Sequence, residues 1–159
     1  FAYGDATFYG STGGTRVNKP IVGMGTTPDG MGYWLVASDG GIFSYGDANF
    51  YGSTGNMTLN KPIVALVPTV DGQGYWLVAS DGGIFSYGDA AFYGSAGGTV
   101  LNKPIVAAIS TPDSLGYWLV ASDGGIFSYG DATFYGSTGS LALNKPIVWG
   151  SAPGAPLPT

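Results

Sequence analysis

One unit of 42 residues, copied without slippage, constrains this chain more than any other feature. Asn-Lys-Pro-Ile-Val begins at Asn18, Asn60, Asn102 and Asn144, and Gly-Tyr-Trp-Leu-Val begins at Gly32, Gly74 and Gly116, always 42 residues apart. Tyr-Gly-Asp-Ala recurs at Tyr3, Tyr45, Tyr87 and Tyr129, with Phe-Tyr-Gly-Ser following at Phe8, Phe50, Phe92 and Phe134. A unit of this length buries its apolar faces only by stacking on its neighbours, so the chain must fold as a repeat array.

Turn chemistry divides the unit. Tyr33 to Ser38 is aromatic and aliphatic, Asp39-Gly40 is a favoured pair for a two-residue hairpin turn, and Gly41 to Asp47 resumes an apolar pattern. That turn pairs Ala37 with Ile42, Val36 with Phe43, Leu35 with Ser44 and Trp34 with Tyr45. One face then carries Trp34, Val36, Phe43 and Tyr45, and the other Tyr33, Leu35, Ala37 and Ile42. Both faces are apolar, so each hairpin must be covered on both sides. Further strands are expected over Lys19 to Thr27, ended by Pro28-Asp29-Gly30, and around Phe50-Tyr51-Gly52. An all-β fold follows, with β-propeller-type blades of about four antiparallel strands as the first expectation and a β-trefoil or β-solenoid as alternatives.

Residues 1–148 form the repeat domain, about 3.5 units of 42 residues, and residues 149–159 read as a Pro-rich tail or linker. Phe1 aligns with Phe43, so the sequence begins midway through a hairpin, and Trp149 replaces Gly23, Ala65 and Ala107 of the other units. Twice 3.5 is seven, a common blade number, which makes a ring shared between two copies an arithmetical option. Incomplete units expose strand edges, and such edges are templates for pairing with another chain.

Composition enters where chemistry is asked for. The chain has no histidine, cysteine or glutamate, and all ten acidic residues are aspartates. Imidazole- and thiolate-based catalysis and ordinary zinc sites are excluded, no cofactor or metal is expected, and the chain does not read as an enzyme. A net charge of −5 with only five cations argues against nucleic acid. No apolar run reaches the ~18 residues of a membrane helix, and no basic stretch precedes an apolar one as in a signal peptide.

The run from Gly32 to Ala48, Gly-Tyr-Trp-Leu-Val-Ala-Ser-Asp-Gly-Gly-Ile-Phe-Ser-Tyr-Gly-Asp-Ala, with Phe50-Tyr-Gly-Ser and Asn60-Lys-Pro-Ile-Val after it, resembles the tandem repeats of secreted, mainly actinobacterial, proteins. The resemblance covers residues 1–148. It implies propeller blades and an extracellular or cell-surface, noncatalytic module of the kind that accompanies peptidase, amidase or other wall-associated domains.

Candidate sites are weighed against structural roles. Asp39, Asp81 and Asp123 sit in Asp-Gly-Gly turns and read as turn formers, since one carboxylate per loop is too few oxygens for calcium. Trp34, Trp76 and Trp118 read as packing between blades. Asp5, Asp47, Asp89 and Asp131 either pair with Lys19, Lys61, Lys103 and Lys145 or bind a ligand, with Asp47, Asp89 and Asp131 the ligand-binding candidates. Tyr51, Tyr93 and Tyr135, beside Ser53, Ser95 and Ser137, are the aromatic binding candidates, because a ring face next to hydrogen-bonding groups suits a sugar. Two functions follow. The first is a noncatalytic module recognising a glycan or cell-wall polymer through one weak site per repeat. The second is a self-assembling repeat protein whose incomplete end units pair with another copy.

Overall fold

The computed structural model describes residues 1–150, so the greater part of the expected tail lies outside the described residues. The fold is all-β. Among the described residues nine strands form three antiparallel three-stranded sheets: β1 (Ile21–Thr26), β2 (Gly32–Ala37) and β3 (Ile42–Gly46); β4 (Ile63–Pro68), β5 (Gly74–Ala79) and β6 (Ile84–Gly88); β7 (Ile105–Ser110), β8 (Gly116–Ala121) and β9 (Ile126–Gly130). Each sheet follows chain order, with the middle strand supplied by Gly-Tyr-Trp-Leu-Val-Ala.

The hairpin differs from the expected one by a single residue. Ala37 N–H donates to Gly41 O (2.9 Å) and Gly40 N–H donates to Ala37 O (2.8 Å), so the loop holds three residues, Ser38-Asp39-Gly40. Gly40 adopts φ 79°, the left-handed conformation that this bulged loop requires, and Asp39 Oδ1 accepts the Gly41 N–H (3.0 Å). The pairing therefore becomes Tyr33 with Tyr45, Trp34 with Ser44, Leu35 with Phe43 and Val36 with Ile42. A one-residue slip changes the face of every residue on one strand relative to the other. The faces are thus Trp34, Val36, Ile42 and Ser44 on one side and Tyr33, Leu35, Phe43 and Tyr45 on the other. As a result, Ser44, Ser86 and Ser128 stand opposite the tryptophans, their Oγ atoms buried without a hydrogen-bond partner among the described residues.

The strand expected around Phe50-Tyr51-Gly52 does not form, so the sheets have three strands rather than four. The connector leaving β3 satisfies its backbone with side chains instead of a ladder. Trp34 Nε1–H donates to Asn49 O (2.7 Å), and the Tyr75 hydroxyl donates to Gly52 O (2.6 Å) while accepting from Gly52 N–H (3.1 Å) and Tyr51 N–H (3.2 Å). The connector is thereby tied to the sheet it leaves and to the sheet that follows. Trp76 and Trp118 repeat the first tie on Ala91 O and Thr133 O, and Tyr117 repeats the second on Gly94 O.

Stacking uses the two apolar faces differently. The Trp face of one sheet meets the Tyr face of the next: Trp34 and Val36 pack with Ile63, Leu66, Tyr75 and Leu77, and Trp76 and Val78 pack with Ile105, Tyr117 and Leu119. The first strands β1, β4 and β7 lie next to one another in that order. Each carries an irregular register after its first residue, between Ile21 and Gly23, Ile63 and Ala65, and Ile105 and Ala107. Val22, Val64 and Val106, the residues in these bulges, line one shared cavity.

One departure from the repeat is explained by its neighbour. Gly72, at φ 70°, lies so close to Pro28 that a Cβ there would stand 2.6 Å from the Pro28 Cδ. In the next unit the same position is Ser114, at φ 60°, and its Oγ accepts the Val70 N–H (2.8 Å), a donor that Pro28 lacks. The hydrogen bond offsets the strain. Ser114→Ala keeps the strain and loses the bond, and should cost about 1 kcal/mol in urea unfolding. Ser114→Gly loses both and should stay within about 0.5 kcal/mol of the parent. An alanine variant as stable as the parent would refute this account.

Candidate functional site

The strands run antiparallel, so each sheet has two chemically distinct ends. At one end lie the loops joining the first and second strands and the aspartates that follow the third. At the other lie the Asp-Gly turns and the Asn-Lys-Pro segments.

Asp47, Asp89 and Asp131 sit at the first end, exposed, with N–H groups donating to the carbonyls of Met31, Gln73 and Leu115 (3.2, 3.2 and 3.1 Å). Their neighbours are not the lysines. Thr69 Oγ1 stands 3.0 Å from both Asp71 Oδ1 and Asp89 Oδ1, so one hydroxyl proton serves two carboxylates. Asp29 and Asp113 take the position of Asp71 in the other units, where Thr27 and Thr111 donate to them (2.9 Å each). The N–H groups of Met31, Gln73 and Leu115 hold Asp29, Asp71 and Asp113 below the usual carboxylate value of 3.8, with the threonine hydroxyls adding to the effect. All three are therefore anions at neutral pH. In the sequence the Pro28-Asp29-Gly30 segment reads as a turn alone, and the recurrence of Thr-X-Asp at Thr27, Thr69 and Thr111 is the signal that marks the pair.

Tyr51, Tyr93 and Tyr135 lie in successive connectors and do not converge. The Tyr51 ring packs on Tyr75 (centroids 5.8 Å) and its hydroxyl donates to Gly72 O (3.0 Å). Tyr93 does the same with Tyr117 (5.9 Å) and Ser114 O (3.1 Å). Both are half-buried between sheets, with ring and hydroxyl engaged. Tyr135, which has no following sheet among the described residues, is 87% exposed.

The opposite end presents three equivalent open grooves, about 320, 320 and 400 Å³ in volume. Lys19, Ser38, Asp39, Asn60 and Lys61 line the first. The second is lined by Lys61, Ser80, Asp81, Asn102 and Lys103, and the third by Lys103, Ser122, Asp123, Asn144 and Lys145. Neighbouring grooves thus share a lysine. Each offers two ammonium groups, a carboxylate, a hydroxyl and an amide along a shallow trough between adjacent units. The turn aspartates have two tasks here, since Oδ1 of each also closes its turn on the N–H of Gly41, Gly83 or Gly125 (3.0 Å each).

Charge is segregated between the two ends. Four of the five cations, the lysines, lie along the grooves with three aspartates, while Asp29, Asp47, Asp71, Asp89, Asp113 and Asp131 occupy the other end, none of them in an ion pair among the described residues. Between the ends, β1, β4 and β7 border a mainly apolar cavity of about 280 Å³, with Trp149 at its margin.

No protein-family model and no curated protein matches the chain. Among solved structures it is similar to the crystal structure of a structural-genomics protein of unknown function from Bacteroides thetaiotaomicron, at 14% identity and a TM-score of 0.51. The match covers 75% of this chain and 33% of that one, so the chain spans about a third of its length, and the likeness is one of fold alone.

Proposed function

We propose that the chain is an arc of β-propeller-type blades, secreted to the cell surface, that binds a polyhydroxylated surface polymer carrying carboxylate or phosphate groups and performs no catalysis. The observation that carries this reading is the row of three equivalent grooves with shared lysines. A single shallow groove with two exposed ammonium groups binds weakly, because solvent screens each contact. Grooves recurring at one spacing on a rigid arc convert weak contacts into avidity when the ligand is itself a polymer. Segregated charge orients the ligand: the lysine end attracts an anionic chain and the aspartate end repels it. Hydroxyl, carboxylate and amide groups between the lysines suit a sugar backbone. The resemblance to secreted wall-associated repeats agrees with that choice of polymer, and the contact of β1 with β4 and of β4 with β7 agrees with blades arranged about an axis.

Lys61 and Lys103 together border all three grooves and are exposed. In co-sedimentation with insoluble acidic and neutral glycans, the parent should be retained by acidic polymers. Lys61→Ala with Lys103→Ala should weaken that retention about tenfold or more, since every groove loses a cation and avidity multiplies the losses. Melting should be unchanged. Retention that ignores both the double substitution and added salt would sink the reading.

A further inference from the structure

Residues 3–13 and 129–139 have one and the same sequence, Tyr-Gly-Asp-Ala-Thr-Phe-Tyr-Gly-Ser-Thr-Gly, whereas the two connectors between them depart from it at Asn49 and at Ala91 and Ala96. The two identical segments have opposite surroundings. The first lies on the Tyr face of the first sheet: the Tyr33 hydroxyl accepts the Tyr9 N–H (3.3 Å) and donates to Gly10 O, and the Tyr9 and Tyr33 rings are 6.0 Å apart. The second leaves the third sheet with no further sheet beyond it among the described residues. A Cβ at Gly136 would have no atom within 4 Å, whereas one at Gly10 would meet the Tyr45 ring at 2.3 Å.

The outward faces of the first and third sheets match the two sides of the contacts that join neighbouring sheets. On the third sheet, Trp118 and Val120 are partly exposed, although their counterparts Trp76 and Val78 are each 1% exposed between sheets. On the first sheet, Tyr33 and Leu35 are partly exposed, although Tyr75 and Leu77 are fully buried. Loop chemistry matches as well. Pro28 of the first sheet packs against Gly72 of the second; the outward loop of the third sheet again offers a proline, Pro112, and that of the first offers a glycine, Gly30, with open space around it.

We propose that the third sheet of one copy docks on the first sheet of a second copy, the incoming 129–139 segment replacing the second copy's own 3–13 segment. Because the two segments are identical, the exchange itself is close to neutral. Association is driven by covering the Trp118 and Val120 face with the Tyr33 and Leu35 face, as happens twice within each chain. The contact is head-to-tail, so copies close into a ring if the rotation permits and otherwise form a filament. Neither exchanged segment nor either docking face contributes Lys61 or Lys103, so the Lys61→Ala, Lys103→Ala variant separates this proposal from polymer binding.

Sedimentation of the purified chain over a range of concentrations tests it, with Tyr→Ala made at the two equivalent tyrosines. The parent should associate with rising concentration. Tyr9→Ala loosens the resident segment and should lower the association midpoint about tenfold, while Tyr135→Ala removes the incoming ring and should raise it by a similar factor. Opposite shifts from the same substitution in the same local sequence are the signature of exchange. A parent and a Tyr9→Ala variant that both stay monomeric at millimolar concentration, or two variants that shift in the same direction, would overturn the proposal. Leu35→Arg and Val120→Arg provide a second reading: each variant alone should be monomeric, and an equimolar mixture should form a dimer and nothing larger. Higher assemblies in the mixture would also overturn it.

Discussion

Gly52→Ala should cost this protein several kcal/mol, while Gly136→Ala, the same change at the same place in the repeat, should cost far less. Gly52 has φ 144°, and a Cβ on it would stand 2.3 Å from Tyr87 Cδ1, at the fixed base of a ring rather than the tip of a flexible chain. Two penalties therefore combine: backbone strain of about 1–3 kcal/mol and overpacking of about 1–3 kcal/mol. Gly136 has φ 118° with open space around it, so only the strain applies. Domains of this size are stable by roughly 5–15 kcal/mol and shift in Tm by about 2–4 °C per kcal/mol, so Gly52→Ala should lower Tm by about 10 °C. Thermal unfolding followed by near-UV circular dichroism measures both variants. Equal shifts would mean that contact between the connector and the next sheet does not hold the stacked sheets together.

Tyr75→Phe should give the second large effect through one oxygen atom. The Tyr75 hydroxyl serves the N–H groups of Tyr51 and Gly52 and the carbonyl of Gly52, and phenylalanine leaves these three groups half-buried without it. Unsatisfied buried groups cost about 1–3 kcal/mol each at full burial, so a loss of about 2–3 kcal/mol is expected here. Tyr33→Phe is the internal control. Tyr33 makes two of the three contacts, with Tyr9 N–H and Gly10 O, on the open face of the first sheet, where water replaces them, and should lose about 1 kcal/mol or less. Burial raises the Tyr75 hydroxyl above the ordinary tyrosine value of 10.0, so it remains a protonated donor throughout the neutral range. Urea unfolding of the two variants compares them, and equal losses would remove the special role assigned to Tyr75.

The repeat, the all-β class and the hairpin with its apolar faces were legible in the sequence, because each rests on spacing or on local turn chemistry. The register was not. Asp39-Gly40-Gly41 admits both a two-residue and a three-residue loop, and the choice made by Gly40 in the left-handed region moved Phe43 and Tyr45 to the face opposite Trp34. The expected fourth strand failed for a longer-range reason. Gly52 finds its partner in the hydroxyl of Tyr75, 23 residues later, where a strand would have paired with its own sheet. That hydroxyl contact also explains why Tyr51 and Tyr93 became part of the packing between sheets.

The candidate site follows the same division. Lysines 42 residues apart announced that something recurs, and the sequence by itself determined that any site would come in copies, without imidazole or thiol. Only the tertiary structure decided which side chains share a groove, because each groove is built from two neighbouring units and neither unit holds one alone. It also decided that Lys61 faces Asp39 and Asp81 across two grooves, while Asp47 turns to the opposite end of its sheet. Antiparallel strands place residues before β1 and residues after β3 at opposite ends, a separation that linear spacing cannot express. Local rules thus determined the unit and its number of copies, and the stacking of one unit on the next determined where its chemistry points.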